Sequence, residues 1–237
     1  MPFQMEPPKA GALRKISNTG AGAGPVKLFV WSVRAIMTAA TLAYVVHFGR
    51  DVPYWDEWDM VAVITKAQPV TLEWLWSSHN GHRIPLPRLL LLSLYKLSGT
   101  DFRAGMYFNV ILSSAAAAAL IWGSGRMRGA KNSVVDAIFP VLLLHWGHYE
   151  NLLWSWQVTQ ILPVAIACVV LAVIAAYGLT PVPSAAAFAA VLITMLPMSG
   201  MTGLAYVPAL VSWLVAVGWI RVRLSRIIFA AAIWASA

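Results

Sequence analysis

Long apolar stretches alternate with short polar connections along the 237 residues of this chain. A helix needs roughly 20 apolar residues to cross a hydrocarbon core about 30 Å thick. Six stretches reach or approach that length once flanking residues are included: 26–48, 102–122, 134–146, 158–179, 185–197 and 205–220. A seventh begins at Ile227 and continues to the chain end. The pattern predicts an all-α fold, a polytopic transmembrane helix bundle with about six to seven spans, because helices satisfy their own backbone in lipid.

The connections divide the chain into a tail and a helical domain. The first 25 residues, "MPFQMEPPKAGALRKISNTGAGAGP", are rich in Pro, Gly and Ala and predict a flexible cytoplasmic tail. Residues 26–237 form the predicted transmembrane domain, with a large first outer loop at 49–101 and a second at 145–157.

One further apolar run, at 84–97, decides the orientation of everything after it. It contains two prolines and two cations and is too short to cross. If it stays on the outer face, the basic clusters that follow residues 122 and 220 fall on the cytoplasmic side with the N-terminus. If it crosses, both clusters lie outside, against the positive-inside rule. We therefore expect an interfacial helix at 84–97, and a protein of the cell (inner or plasma) membrane with a cytoplasmic N-terminus.

Composition supports a membrane protein and explains the net charge of +8. About a quarter of the residues of a soluble domain are charged. This chain has 11% charged and 59% hydrophobic residues, and its mean hydropathy is +0.70. The basic excess is typical of cytoplasmic loops, so the expected partner is the lipid bilayer and not nucleic acid. The single cysteine, Cys168, can form no intramolecular disulfide.

The acidic residues concentrate in the first outer loop, where "YWDEWD" places three carboxylates in six positions. Asp56 and Glu57 are candidate catalytic carboxylates, and neighbouring positions point to different sides, so we expect different roles. No metal site is assigned, although Asp56 could ligate a divalent ion such as Mg²⁺ or Mn²⁺. Asp59 is interpreted as loop solvation. The alternative is an interfacial helix with tryptophans in the headgroup belt and acids facing water.

A stretch of cations and histidines follows in "LEWLWSSHNGHRIPLPR". Its candidate binding residues are His79, His82, Arg83 and Arg88, since arginine binds phosphate oxygens in a bidentate manner. Arg103 is a further candidate for the same phosphate. Asn80-Gly81 favours a turn, which argues against a helical zinc site. The alternative is that the cations only reach anionic headgroups.

The second outer loop, "HWGHYENLLWSWQ", has a similar composition. Its polar candidates for a binding site are Glu150, Asn151 and Gln157. Seven of the twelve tryptophans lie in the two outer loops. Most interfacial tryptophans are anchors, but flat aromatic faces beside carboxylates and amides also suit sugar rings.

These features together resemble the GT-C superfamily of polytopic, polyprenyl-phosphate-sugar-dependent glycosyltransferases. "HRIPLPRLLLL" is similar to the His-Pro-Pro-Leu stretch of the protein O-mannosyltransferase and aminoarabinose-transferase branches. "HNGHR" and "ENLLWSWQ" resemble segments of bacterial multi-pass membrane proteins of uncharacterised activity, and that similarity is closer. The resemblance implies that Asp56 or Glu57 is the catalytic or metal-binding carboxylate. It also implies a polyprenyl-phosphate sugar as donor and a glycan, lipid or protein as acceptor.

The chain departs from the resemblance in two respects. It has Glu150 where the better-known branches have an Arg followed by Asp, and it ends in its seventh apolar run, as an incomplete protein would. The leading hypothesis is a membrane glycosyltransferase acting at the outer face. The alternatives are a transporter or flippase for a lipid-linked or anionic solute, and a catalytically silent membrane subunit.

Overall fold

The computed structural model describes residues 23–235, and the side-chain environment of residues 24–223. The α-helices in this part are α1 (Ala23–Phe48), α2 (Trp58–Ile64), α3 (Leu72–Trp76), α4 (Pro85–Leu97), α5 (Arg103–Met127), α6 (Ile138–Leu144), α7 (Tyr149–Leu153), α8 (Val158–Tyr177), α9 (Pro183–Met195) and α10 (Met201–Ala235). Two-residue strands β1 (Ser78–His79) and β2 (His82–Arg83) form one small hairpin. The predicted all-α class is confirmed. The predicted tail lies outside the described residues, except for its last three, which begin α1.

Helices α1 and α5 are antiparallel neighbours. Val45, near the end of α1, packs with Met106, near the start of α5. Halfway along, the Nε of Arg34 donates to the carbonyl of Ser114 at 3.0 Å. Residues 49–102 therefore leave and re-enter the bundle at the same end, which we call the loop end.

Helices α5 and α8 run parallel, so the chain between them must return from one end of the bundle to the other. Ser155 lies against Gly105 near the start of α5, and Ala172 lies against Gly123 near its end. The return uses the short helices α6 and α7 in place of one long helix. Leu144, at the end of α6, lies in this returning segment, and its carbonyl accepts a hydrogen bond from the hydroxyl of Thr41 in the C-terminal half of α1 at 2.8 Å. The second outer loop consequently lies at the loop end as well.

The last two helices complete the bundle. The Nε1 of Trp213 in α10 donates to the carbonyl of Gly178 at 2.9 Å, and Arg221 donates to the carbonyl of Pro181. Gly200, which joins the two helices, lies close to His82 and Ile84 at the loop end. The opposite end, with the cationic connection 126–131, is called the basic end. The expected seventh run at Ile227 is not a separate element, because α10 continues through it to Ala235.

Four described helices are long and apolar enough to cross a membrane: Gly24–Phe48, Arg103–Met127, Ser155–Tyr177 and Met201–Arg223. A shorter apolar helix occupies Pro183–Ser199. The protein therefore has the helices of a membrane protein, but the expected six to seven spans are not confirmed. The returning segment lacks a helix of sufficient length because α6 ends at Leu144, after which the backbone of His145 becomes extended.

Helix α4 corresponds to the run that we expect at the interface, and its 13 residues are too few to cross a bilayer. Its prolines occupy the first turn, where a missing backbone N–H costs little. Leu91, Leu92 and Tyr95 are buried in the main core, whereas Lys96 is exposed. This amphipathic helix packs on the bundle and supports the hairpin that precedes it.

Candidate functional site

The β1–β2 hairpin presents its histidines beside the first acidic turn. Asn80 (φ 49°) and Gly81 (φ 82°) form its two-residue turn, which requires two left-handed residues and explains the Asn-Gly pair. The register pairs His79 with His82. The Asn-Gly turn that the sequence predicts is therefore present, and it belongs to a strand hairpin.

A carboxylate–imidazole–carboxylate cluster forms at this hairpin. The Nδ1 of His79 lies 2.9 Å from Oδ2 of Asp59, and its Nε2 lies 3.4 Å from Oδ2 of Asp56. The imidazole is 9% exposed, while the side chain of Asp56 is 34% exposed. The ring of Trp156 packs on His79 with 4.9 Å between centroids. The second outer loop thus helps to fix the imidazole, and Asp56 stays open to solvent.

Glu57 points into the protein and is fully buried. The backbone N–H of Tyr54 donates to its Oε2 at 2.9 Å, and the hydroxyl of Tyr95 donates to its Oε1 at 3.4 Å. Burial raises the pKa of Glu57 above its ordinary value of 4.5, and the amides of Tyr54, Ser155 and Trp156 partly counteract this. Glu57 therefore joins the two outer loops and α4 from within.

Arg88 is buried and bonded to the backbone of the segment before the hairpin. Its Nη1 donates to the carbonyl of Trp74, the carbonyl of Ser77 and the hydroxyl of Ser77, each at 2.8 Å. Burial lowers the pKa of Arg88, and the negative charge of Asp59 counteracts the shift. The Nε of Arg88 has no hydrogen-bond partner among the described residues.

The remaining candidates for phosphate binding are less buried than Arg88. The Nη1 of Arg83 donates only to the carbonyl of Trp76, at 2.9 Å, and the residue is exposed. Arg103 forms a bidentate pair with Asp101, with 2.8 Å from Nη2 to Oδ2. This hydrogen bond lowers the pKa of Asp101 below its ordinary value of 3.8. His82 is half-buried, and its Nδ1 lies 3.2 Å from the carbonyl of Asn80.

An aromatic cleft of about 460 Å³ lies between the two outer loops. Its lining comes from both of them: Tyr54, Trp55, Tyr149, Glu150, Leu153 and Trp154. The ring of Trp154 stands edge-on to those of Tyr54 and Trp55, with centroids 5.6 and 6.1 Å apart. Trp55 adopts φ 47°, a strained conformation for a bulky residue. Because Trp55 directly precedes Asp56, the cleft and the His79 cluster adjoin.

The other two candidates of the second loop lie apart from this cleft. Asn151 lines a smaller cavity of about 160 Å³ with Ser113, His148 and Gln160. Its carbonyl accepts from Nδ2 of Asn109 at 3.3 Å. Gln157 is half-buried at the start of α8. The structure therefore joins Asp56 with His79, and Glu150 with Trp55, but it does not gather every candidate into one cavity.

The described residues contain no group of three or more His, Cys, Asp or Glu side chains that could hold a metal ion. Asp56 and Asp59 both direct an oxygen at the imidazole of His79. This arrangement fits proton transfer better than it fits ligation of Mg²⁺ or Mn²⁺, which prefer several oxygen ligands.

Sequence reasoning missed three contributors to the site. Asp59 is assigned to solvation, yet it hydrogen-bonds His79. Trp156 is interpreted as an anchor, yet it packs on the same ring. Tyr95 carries no signal beyond its place on the apolar face of α4. The only sequence signal for Asp59 is that three acids lie close together in the loop that also contains His79 and His82. Which acid contacts which histidine depends on the tertiary fold.

Comparison of the chain with protein families, curated proteins and solved structures gives no match. The class defined by the fold is a helical membrane protein with a polar site at one end of its bundle. The GT-C resemblance stays a prediction, and function is argued from the site alone.

Proposed function

We propose that the protein is a membrane glycosyltransferase, which moves a sugar from a polyprenyl-phosphate donor to a glycan, lipid or protein acceptor. The single observation that carries this proposal is the Asp56–His79–Asp59 cluster beside an aromatic cleft. Both lie at the end of an apolar bundle, where a lipid-linked donor can remain in the bilayer. The loop end is then the outer face, and all six passes of the chain cross the membrane.

Asp56 is the proposed general base. As the acceptor oxygen bonds to the anomeric carbon, its proton passes to Asp56, and the electron pair of the broken carbon–oxygen bond leaves with the phosphate. Asp59 and Trp156 hold His79, whose Nε2 faces Asp56 and also lies 3.2 Å from Nδ2 of Asn80. Glu57 is the weaker candidate for this role because it is fully buried and already bonded.

Arg83 is the best candidate for the departing phosphate. It is exposed and bonded through one nitrogen only, so most of its donors face solvent. Arg88 already donates to two carbonyl groups, and Arg103 is already paired with Asp101. Both arginines are therefore proposed to hold the loop in position and not to bind the phosphate. His82, beside Arg83 in β2, is available to the same phosphate or to the sugar.

The aromatic cleft is the proposed sugar or acceptor subsite. Tyrosine and tryptophan rings offer apolar faces to the C–H groups of a pyranose, and Glu150 at the rim accepts hydrogen bonds from sugar hydroxyls. Asn151 and Gln157 remain candidates for a more distant part of the acceptor.

The test is sugar transfer or donor hydrolysis by the purified chain, assayed with radiolabelled polyprenyl-phosphate mannose and glucose. Asp56→Asn is expected to lower turnover by about 10²-fold or more, as loss of a general base does. Glu73→Gln is the matched control, because Glu73 is an exposed carboxylate of the same loop. Equal turnover in both variants, with unchanged thermal unfolding, would remove Asp56 from the mechanism.

A transporter or flippase is the second candidate, and the broken return between α5 and α8 favours it. Interrupted helices that line a cavity are typical of transporters. The cavity at Ser113, His148, Asn151 and Gln160 lies beside this segment. Flux of a fluorescent polyprenyl-phosphate analogue in proteoliposomes, without sugar transfer, would support this candidate. A silent subunit would show neither activity.

A further inference from the structure

A second polar groove lies at the basic end, far along the bundle from the candidate site. It encloses about 200 Å³ between α1 and α5. Lys27 comes from the first turns of α1 and Arg126 from the last turn of α5, and both are exposed. Trp31, Ile121 and Trp122 supply its apolar walls. Antiparallel packing of the two helices brings these cations together.

The groove carries uncompensated positive charge. The carboxylate nearest in sequence, Asp136, is already occupied by Nη2 of Arg128, at 2.6 Å from Oδ1. The backbone N–H of Ser133 donates to its other oxygen at 2.8 Å. Among the described residues, neither Lys27 nor Arg126 forms a salt bridge. An anion is therefore the complementary ligand.

We propose that this groove binds the phosphodiester headgroup of an anionic phospholipid. Both flanking helices are long and apolar enough to cross the membrane, so the groove opens towards acyl chains. Trp31 and Trp122 line the groove beside its two cations. Tryptophan is enriched in the headgroup region, and basic pockets between helices recognise anionic headgroups. The inference does not depend on the proposed glycosyl transfer.

The experiment uses the full chain in detergent and measures retained lipid by native mass spectrometry. The protein is titrated with dioleoyl-phosphatidylglycerol or with dioleoyl-phosphatidylcholine. Wild type is expected to retain one phosphatidylglycerol in preference to phosphatidylcholine. The double variant Lys27→Gln/Arg126→Gln is expected to bind phosphatidylglycerol about ten-fold or more weakly, because each cation contributes to headgroup attraction.

The matched control is Lys66→Gln/Lys96→Gln, which removes the same charge from a groove at the loop end. It is expected to bind phosphatidylglycerol as wild type does. An equal loss of phosphatidylglycerol binding in both double variants would show that the net charge of the protein causes the effect, and would overturn the site. Retention in Lys27→Gln/Arg126→Gln, or displacement of the lipid by equimolar glycerol phosphate, would also overturn a lipid-specific groove.

Discussion

Two neighbouring carboxylates in the first outer loop have opposite environments. Asp56 is one-third exposed and faces an imidazole, whereas Glu57 is fully buried against tyrosine and backbone donors. The short 3-10 helix at Trp55–Glu57 points the side chains of these two neighbours in different directions. The sequence predicts that adjacent acids take different roles, but it cannot say which one turns inward, because that depends on Tyr95 and Ser155 from distant segments.

The raised pKa of Glu57 makes stability depend on pH. A folded state that keeps its proton more firmly than the unfolded state loses stability as pH rises from 4.5 towards the raised pKa. In Glu57→Gln this loss disappears. The stability of the variant relative to wild type is therefore expected to improve as pH rises above 4.5 and then to level off, measured by thermal unfolding in detergent.

Asp101→Asn is the control for this titration. The pKa of Asp101 is lowered below 3.8, so both folded and unfolded states are ionised above about pH 5. The difference in stability between Asp101→Asn and wild type should therefore stay constant between pH 5 and pH 8. If the difference in stability between Glu57→Gln and wild type were also constant over this pH range, the raised pKa of Glu57 would be contradicted.

Arg88 supports the hairpin through backbone carbonyl groups, so its loss should destabilise the fold. Arg88→Gln removes the guanidinium donor to Ser77 and to the carbonyl of Trp74, which keeps the hydroxyl of Ser77 as a donor. We expect a loss of roughly 2–3 kcal/mol in the free energy of unfolding, typical of hydrogen bonds that involve a charged group. Arg83→Gln, which affects an exposed side chain, should change it by about 0.5 kcal/mol or less. Denaturant titration followed by circular dichroism compares the two.

A glycine in α5 allows close contact with α8. At Gly123 in α5 an added Cβ would lie 2.6 Å from the Cα of Ala172 in α8, which is too close for two backbones to tolerate. Two residues further on, at Gly125, the nearest atom would be 3.4 Å away, on the side chain of Asn132. Small residues that let helices approach closely are the usual means of packing in lipid.

This difference gives a matched pair of substitutions on one helix. Gly123→Ala should force α5 and α8 apart and lower the free energy of unfolding by about 1–3 kcal/mol. Gly125→Ala should be neutral or stabilise by up to roughly 1 kcal/mol, because alanine favours a helix. Thermal unfolding of both variants in one detergent tests this. Equal effects would show that α5 and α8 do not pack at Gly123.

Long elements are predictable from the sequence, and interrupted ones are not. The runs at 26–48, 102–122 and 158–179 correspond to α1, α5 and α8, because twenty apolar residues have few alternatives in lipid. The run at 134–146 becomes a broken return, since contacts such as Thr41 to Leu144 replace helical bonds. The seventh run merges with α10 because the arginines at 221–226 do not interrupt a helix.

The site shows the same division. Local chemistry identifies the Asn-Gly turn, the acids of the first loop and Glu150. Contacts between segments are decided by the packed bundle: Asp59 lies twenty residues before His79, and Trp156 lies in another loop. Residue type alone therefore identifies Asp56 and His79 as candidates, but not Asp59 or Trp156 as the groups that contact His79.

At the scale of the molecule, the relative directions of the packed helices assign the loops between them to one of two ends. The antiparallel pair α1–α5 places 49–102 at the loop end, and the parallel pair α5–α8 places 128–133 at the basic end. Cations cluster at the basic end and acids at the loop end, so the positive-inside rule predicts a cytoplasmic basic end and an outer loop end. On this prediction we expect α4 to remain on the outer side.

Cysteine labelling tests this arrangement in a Cys168→Ala background. Ser98→Cys and Asn80→Cys sit at exposed positions of the loop end, and Lys131→Cys and Thr180→Cys at exposed positions of the basic end. A membrane-impermeant maleimide should modify the first pair in intact spheroplasts and the second pair only after lysis. Modification of Asn80→Cys and Lys131→Cys from one side, and of Ser98→Cys from the other, would mean that α4 crosses the membrane. The Asp56–His79 cluster would then lie on the opposite face from α5's first turn, which the hydrogen bond between Asp51 and the amide of Phe102 argues against.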